Sequence, residues 1–167
     1  SSFDSVGFTI DVIKHPEVPD RDLFIFDTQS DKLIHSVESI GTNLFGVDVD
    51  HQGNVFVAQT DARNHVNGRA GTKKHGLKEL MNRPYLNQIT KIPKGKDPLF
   101  FNLNPLPPKQ PKRSRAIATP FSIKVSEDSK VLYFTAASSD HFVAMDSEDG
   151  SILDQIKVGS VPRGIAI

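Results

Sequence analysis

The densest concentration of chemically able side chains lies between residues 61 and 76. Asp61, Asn64, His65, Asn67 and His75 are interspersed there with Arg63, Arg69, Lys73 and Lys74 and with three glycines. Carboxylate, amide and imidazole groups at that density are ligands for a divalent metal, with Asp61, Asn64 and His65 the leading candidates. Their spacing matches no closed metal motif, and Asp and Asn in such a stretch equally cap turns by accepting backbone N–H groups. The cations point to anion binding instead. A second basic stretch, residues 104–119, holds Lys109, Lys112, Arg113 and Arg115 and no acid. Arg63, His65, Arg69, Lys73, Lys74, His75, Arg113, Arg115 and Arg163 are therefore the expected binding residues for an acidic protein or an anionic ligand. The competing reading is that these are solvated loops whose charges only maintain solubility.

These loops need a scaffold, and a repeat supplies it. Phe45-Gly46-Val47-Asp48-Val49, Phe121-Ser122-Ile123-Lys124-Val125 and Arg163-Gly164-Ile165-Ala166-Ile167 share alternating apolar positions. The first two are each followed by a polar turn and a second apolar run, Val55–Ala58 and Val131–Thr135, which reads as a hairpin. Third strands are expected at Leu23–Asp27, Gln88–Ile92 and Phe142–Asp146, and fourth strands at Leu33–Val37, Leu99–Leu103 and Ile152–Val158. Phe121 and Arg163 lie about 42 residues apart, the length of one four-stranded propeller blade.

The expected fold is all-β, a β-propeller portion of about three four-stranded blades, with a loop and short-helix insertion in the middle blade. Blade 1 spans about 7–40, with Gly7–Ile13 as its second strand. Blade 2 spans about 43–103 with its insertion at 60–86, and blade 3 about 119–158. The crossover is 104–118, and 162–167 begins a further blade. Leu77, Leu80 and Met81 have helical spacing before the stop at Arg83-Pro84. In an up-and-down blade both long insertions fall on one rim, which is where binding loops concentrate.

Composition narrows the function classes. Twenty basic residues balance twenty acidic ones and there is no cysteine, so disulfides, thiolate metal sites and cysteine nucleophiles are excluded within these residues. No apolar run approaches the length of a membrane span. The chain begins at Ser1, as processing or an incomplete sequence would leave it. Lys109–Arg115 has the charge of a nucleic-acid patch but no interleaved aromatic residue, and prolines at 105, 107, 108 and 111 favour an extended loop. Nucleic acid is therefore not an expected partner. The turn Asp48–Gly53 lacks the acidic positions of a calcium loop and reads as a hairpin turn. The inner-strand ends offer Asn43, Thr119 and Arg163 and no converging carboxylate pair, so no catalytic residue is assigned.

Tyr133-Phe134-Thr135-Ala136, Phe142–Asp146 and Ile156–Ala166 together resemble the bacterial YVTN-type propeller repeat. The resemblance covers the last blade well and the others more loosely; Phe56-Val57-Ala58-Gln59 stands at the signature position of the middle blade. It implies export to the periplasm or cell surface, and association with a c-type di-haem, peroxidase-like domain. No Cys-x-x-Cys-His is present, so such a haem would lie beyond Ile167. The expected function is an interaction module whose basic rim receives an acidic partner, such as a redox domain, with remaining blades or a second copy closing the ring. The alternatives are a lactonase-like or other metal-dependent propeller hydrolase, and a purely structural cell-surface propeller.

Overall fold

The computed structural model describes residues 2–3, 8–9, 20–63, 66 and 80–167. Its strands are β1 (Ser2–Phe3), β2 (Phe8–Thr9), β3 (Arg21–Phe26), β4 (Leu33–Glu38), β5 (Asn43–Val49), β6 (Val55–Ala62), β7 (Tyr85–Ile92), β8 (Leu99–Asn102), β9 (Pro120–Val125), β10 (Val131–Ala136), β11 (His141–Asp146) and β12 (Ile152–Lys157). The pairings β1-β2, β3-β4, β5-β6, β7-β8, β9-β10, β10-β11 and β11-β12 are antiparallel. The chain forms two compact units, residues 1–42 with 62–84, and residues 43–61 with 85–167.

The first unit carries two two-stranded sheets, β1-β2 and β3-β4. Among the described residues the expected blade at 7–40 shows β2, β3 and β4, with β3 and β4 as a two-stranded sheet. Phe8 and Thr9 pair with Phe3 and Ser2. At the β3-β4 turn, Asp27 Oδ1 accepts the N–H groups of Gln29 and Ser30 and the Ser30 hydroxyl. At the other end the Ile40 N–H donates to Asp22 at 2.7 Å. The expected insertion helix lies mostly outside the described residues. At its end Met81 and Asn82 have φ of 54° and 58°, left-handed values that cannot continue a right-handed helix.

The second unit is built from two four-stranded sheets, β5-β6-β7-β8 and β9-β10-β11-β12. Period-two alternation sends Leu132, Phe134, Val143 and Met145 to one face of the last sheet, where they meet Phe56, Ala58 and Ile89 of the middle sheet. Both sets are buried, which is the condition for a sheet-on-sheet core. In β6 the residues Val55–Thr60 are buried without interruption, the pattern of a strand covered on both faces.

The two sheets approach most closely at their first strands. A Cβ on Gly46 would sit 2.3 Å from the Phe121 carbonyl oxygen, so only glycine allows β5 and β9 this close. Asp48 then clasps β9, accepting the Val125 N–H at 2.8 Å and the Lys124 ammonium at 3.3 Å. Phe45 and Phe121, equivalent residues of the repeat, stack with ring centroids 5.2 Å apart. The third equivalent residue, Arg163, places its guanidinium 5.4 Å from the Phe121 ring. Residues 162–167, expected as a strand, make no ladder. Alternating side chains make a strand only where a neighbour takes up the backbone groups, and here none does among the described residues.

Candidate functional site

The crossover from β8 to β9 is pinned by its own side chains. Buried Asn104 accepts the Ile117 N–H at 3.0 Å and donates to the Ile117 carbonyl at 2.7 Å, closing residues 104–117 as a loop. Beyond this neck the Ala118 N–H donates to Ser139 Oγ, the Thr119 N–H donates to Asn87 Oδ1, and the Thr119 and Ser138 hydroxyls bond at 2.8 Å. Thr119 is held at φ 56°, an uncommon conformation for a β-branched residue that persists where neighbours over-determine it. The loop is thereby fixed against the start of β11.

Between this loop and the edge of the last sheet lies a cleft of about 610 Å³. One wall is a single 3-10 turn, Arg113–Arg115, and the other is β11-β12. His141 and Lys157 are directly paired across that ladder, as are Val143 and Gln155. Paired residues project to one face, and Val143 is in the core, so His141, Lys157 and Gln155 share the core-side face. Arg113, Arg115, Lys157 and His141 line the cleft together with Ser114, Ser138 and Ser139. Asp154 is the one acidic residue among the described lining residues. Nδ1 of His141 is buried and has no hydrogen-bond partner among the described residues. Such an arrangement is suited to holding negative charge, because guanidinium, ammonium, hydroxyl and imidazole all donate.

Of the expected binding residues, the structure brings Arg113 and Arg115 together. Sequence reasoning missed His141 and Lys157: counted outward from the Ser147–Gly150 turn, His141 falls opposite Ile156, and only the register shift between Ala144 and Met145 brings Lys157 opposite it. Arg163 is exposed and sits over Phe121. Arg63 is half-buried and donates through Nη1 to the Leu80 and Arg83 carbonyls, at 2.8 and 3.1 Å, tying the neck of the insertion. Beside it, burial and the Arg63 charge pull the Arg83 guanidinium below its ordinary range. His65, Arg69, Lys73, Lys74 and His75 lie outside the described residues, as does Asn64 of the metal candidates. Among the described residues there is no group of three or more metal-binding side chains, and no helix is long and apolar enough to cross a membrane. The turn after Asp48 is closed by Asp50, whose carboxylate accepts the Gln52 and Asn54 N–H groups and the Asn54 side-chain amide.

Neither a protein-family model nor a curated protein matches the sequence. Among solved structures the chain is similar to the hydrazine synthase of Kuenenia stuttgartiensis, with a TM-score of 0.62 at 13% identity. The match covers 82% of this chain and 43% of that one, so the chain spans less than half of its relative's length. A protein of unknown function from Bacteroides caccae aligns over 78% of this chain and 52% of that one, at 15% identity and a TM-score of 0.30. The likeness to hydrazine synthase, a propeller-containing protein, fits a propeller-like all-β fold.

Proposed function

We propose that the chain is a propeller-type binding module whose cleft beside the crossover receives an acidic protein partner. The carrying observation is the grouping of Arg113, Arg115, Lys157 and His141 around about 610 Å³, against Asp154 alone among the described lining residues. Cations gathered from one loop and two neighbouring strands in a walled cleft raise the local concentration of anionic groups and speed their association. In the same reading the four-stranded sheets are propeller blades, completed by further blades of the same protein or by a second copy. The YVTN-type resemblance supports a periplasmic or cell-surface setting, with a redox domain as the acidic partner.

The test is titration of the full chain with poly-L-glutamate at low and high salt. Binding should weaken by about tenfold or more between roughly 0.05 and 0.3 M NaCl and should be lost in Arg113→Glu/Arg115→Glu. No binding, or binding unchanged by both salt and charge reversal, would overturn the proposal.

A further inference from the structure

The lining of the cleft says what form the acidic ligand takes. β12 is the outer edge of its sheet. Within it, Gln155 and Lys157 project to the core-side face and Asp154 to the opposite face, as their partners Val143, His141 and Ala144 require. All three nevertheless line the same cleft. A cavity bounded by residues of both parities runs along the edge of a strand, not over one of its faces.

Among the described residues no strand pairs with the outer side of β12. The Val158 N–H donates to the Asp140 carbonyl at 2.8 Å, so by alternation the Ile156 N–H faces β11 and those of Gln155 and Lys157 face away. The Gln155 N–H is met at 2.8 Å by the carboxylate of Asp154 next to it. A short acidic side chain thus covers one outward donor, as edge strands commonly require against unwanted pairing.

We infer that the cleft takes an extended acidic peptide, which adds to β12 as a fifth strand and lays its carboxylates against Arg113, Arg115 and Lys157. This rests on the proposed acidic partner and deepens it. Main-chain hydrogen bonds to an open edge supply affinity and flanking side chains supply specificity. The incoming backbone carbonyl replaces Asp154 at the Gln155 N–H, so Asp154 acts as an internal competitor that the peptide displaces.

The test uses a fluorescent (Glu-Thr)4 peptide with the full chain, and the same peptide N-methylated on every second residue in either phase. N-methylation keeps the charge and removes donors from one side of the strand. Binding of the unmodified peptide, at least tenfold weaker in Arg115→Glu and in one methylated phase, is the expected result. Asp154→Ala should tighten binding several-fold. Equal affinity for all three peptides would overturn strand addition while leaving the basic cleft intact. Failure of the peptide and of poly-L-glutamate alike would remove the acidic partner itself. Arg113, Arg115 and Asp154 are exposed, so these variants keep the core unchanged.

Discussion

The carboxylates of Asp27, Asp128 and Asp149 each close a turn by accepting nearby donors, and each is held below its ordinary value by those bonds. The leading contributor is the hydrogen bond to the side chain of Ser30, Ser126 and Ser151 respectively, with backbone N–H groups adding to it. A lowered folded value means the unfolded chain binds protons more readily. Their stabilisation is therefore present above the unfolded Asp value of about 3.9 and is lost as pH falls through the folded values. A chain carrying Asp27→Asn, Asp128→Asn and Asp149→Asn should be less stable at neutral pH. Its urea midpoint should fall less steeply than the parent's on acidification below about pH 4. Parallel curves for the two proteins would show that these turns contribute no linkage. Gly46 is the sharper residue. Because an added methyl group would sit 2.3 Å from the Phe121 carbonyl oxygen, Gly46→Ala must push two backbones apart, and about 1–3 kcal/mol of stability should be lost by denaturant titration.

Between elements, the middle and last sheets are joined at their far ends by Lys91 on β7 and Glu148 in the β11-β12 turn. The ammonium is nearly buried and stacks over the Phe56 ring at 5.9 Å, whereas the Glu148 side chain is 87% exposed. Solvent screens a pair with one such partner, so Glu148→Gln should cost about 1 kcal/mol or less. Lys91→Met should be neutral or stabilising, since an apolar side chain would suit the buried position beside Phe56. A loss of several kcal/mol in Lys91→Met would show that the charge itself holds the sheets together. The strands that make these sheets are legible in the sequence because alternation is a local property. Val131–Thr135 and Phe142–Asp146 each fall within one residue of the observed β10 and β11. For β6 the apolar run predicts only Val55–Ala58, whereas the strand continues to Ala62, because Gln59 and Thr60 are polar yet buried. Gln59 donates to Gln88 and Thr90 at 2.7 and 3.2 Å, and a cross-strand amide network has no signature in a hydrophobic pattern. The cleft is legible only in part for a similar reason. Arg113 and Arg115 stand out as a charge run, but Lys157 and His141 reach it through ladder register, and Arg63 is drawn to carbonyls at a loop neck.

At the scale of the whole molecule, a balanced net charge coexists with a cleft in which cations outnumber acids, and a covered sheet face coexists with an open one. The repeat makes the second contrast testable. Phe56 and Ala58 of the middle sheet are buried against the last sheet, and the residues at the equivalent positions of the last sheet are Tyr133 and Thr135. Tyr133 stacks on Phe142 at 5.9 Å, and Phe142 pairs across the ladder with Ile156, which is 53% exposed. Ile165 and Ile167 border the same surface. An apolar sheet face of this kind buries itself against another sheet when one is offered. In solution the chain should therefore associate, giving a mass above 18.4 kDa by sedimentation at micromolar concentrations. Ile156→Lys should return it toward the monomer, because a charge at the centre of the face opposes desolvation. Arg113→Glu should leave the mass unchanged, since its cleft lies along the edge of that sheet rather than on this face. If the parent chain sediments as a monomer even when concentrated, the open face is satisfied by its own solvation. The expectation that further blades or a second copy cover it would then fall, while the binding cleft, which one chain builds entirely from its own residues, would stand.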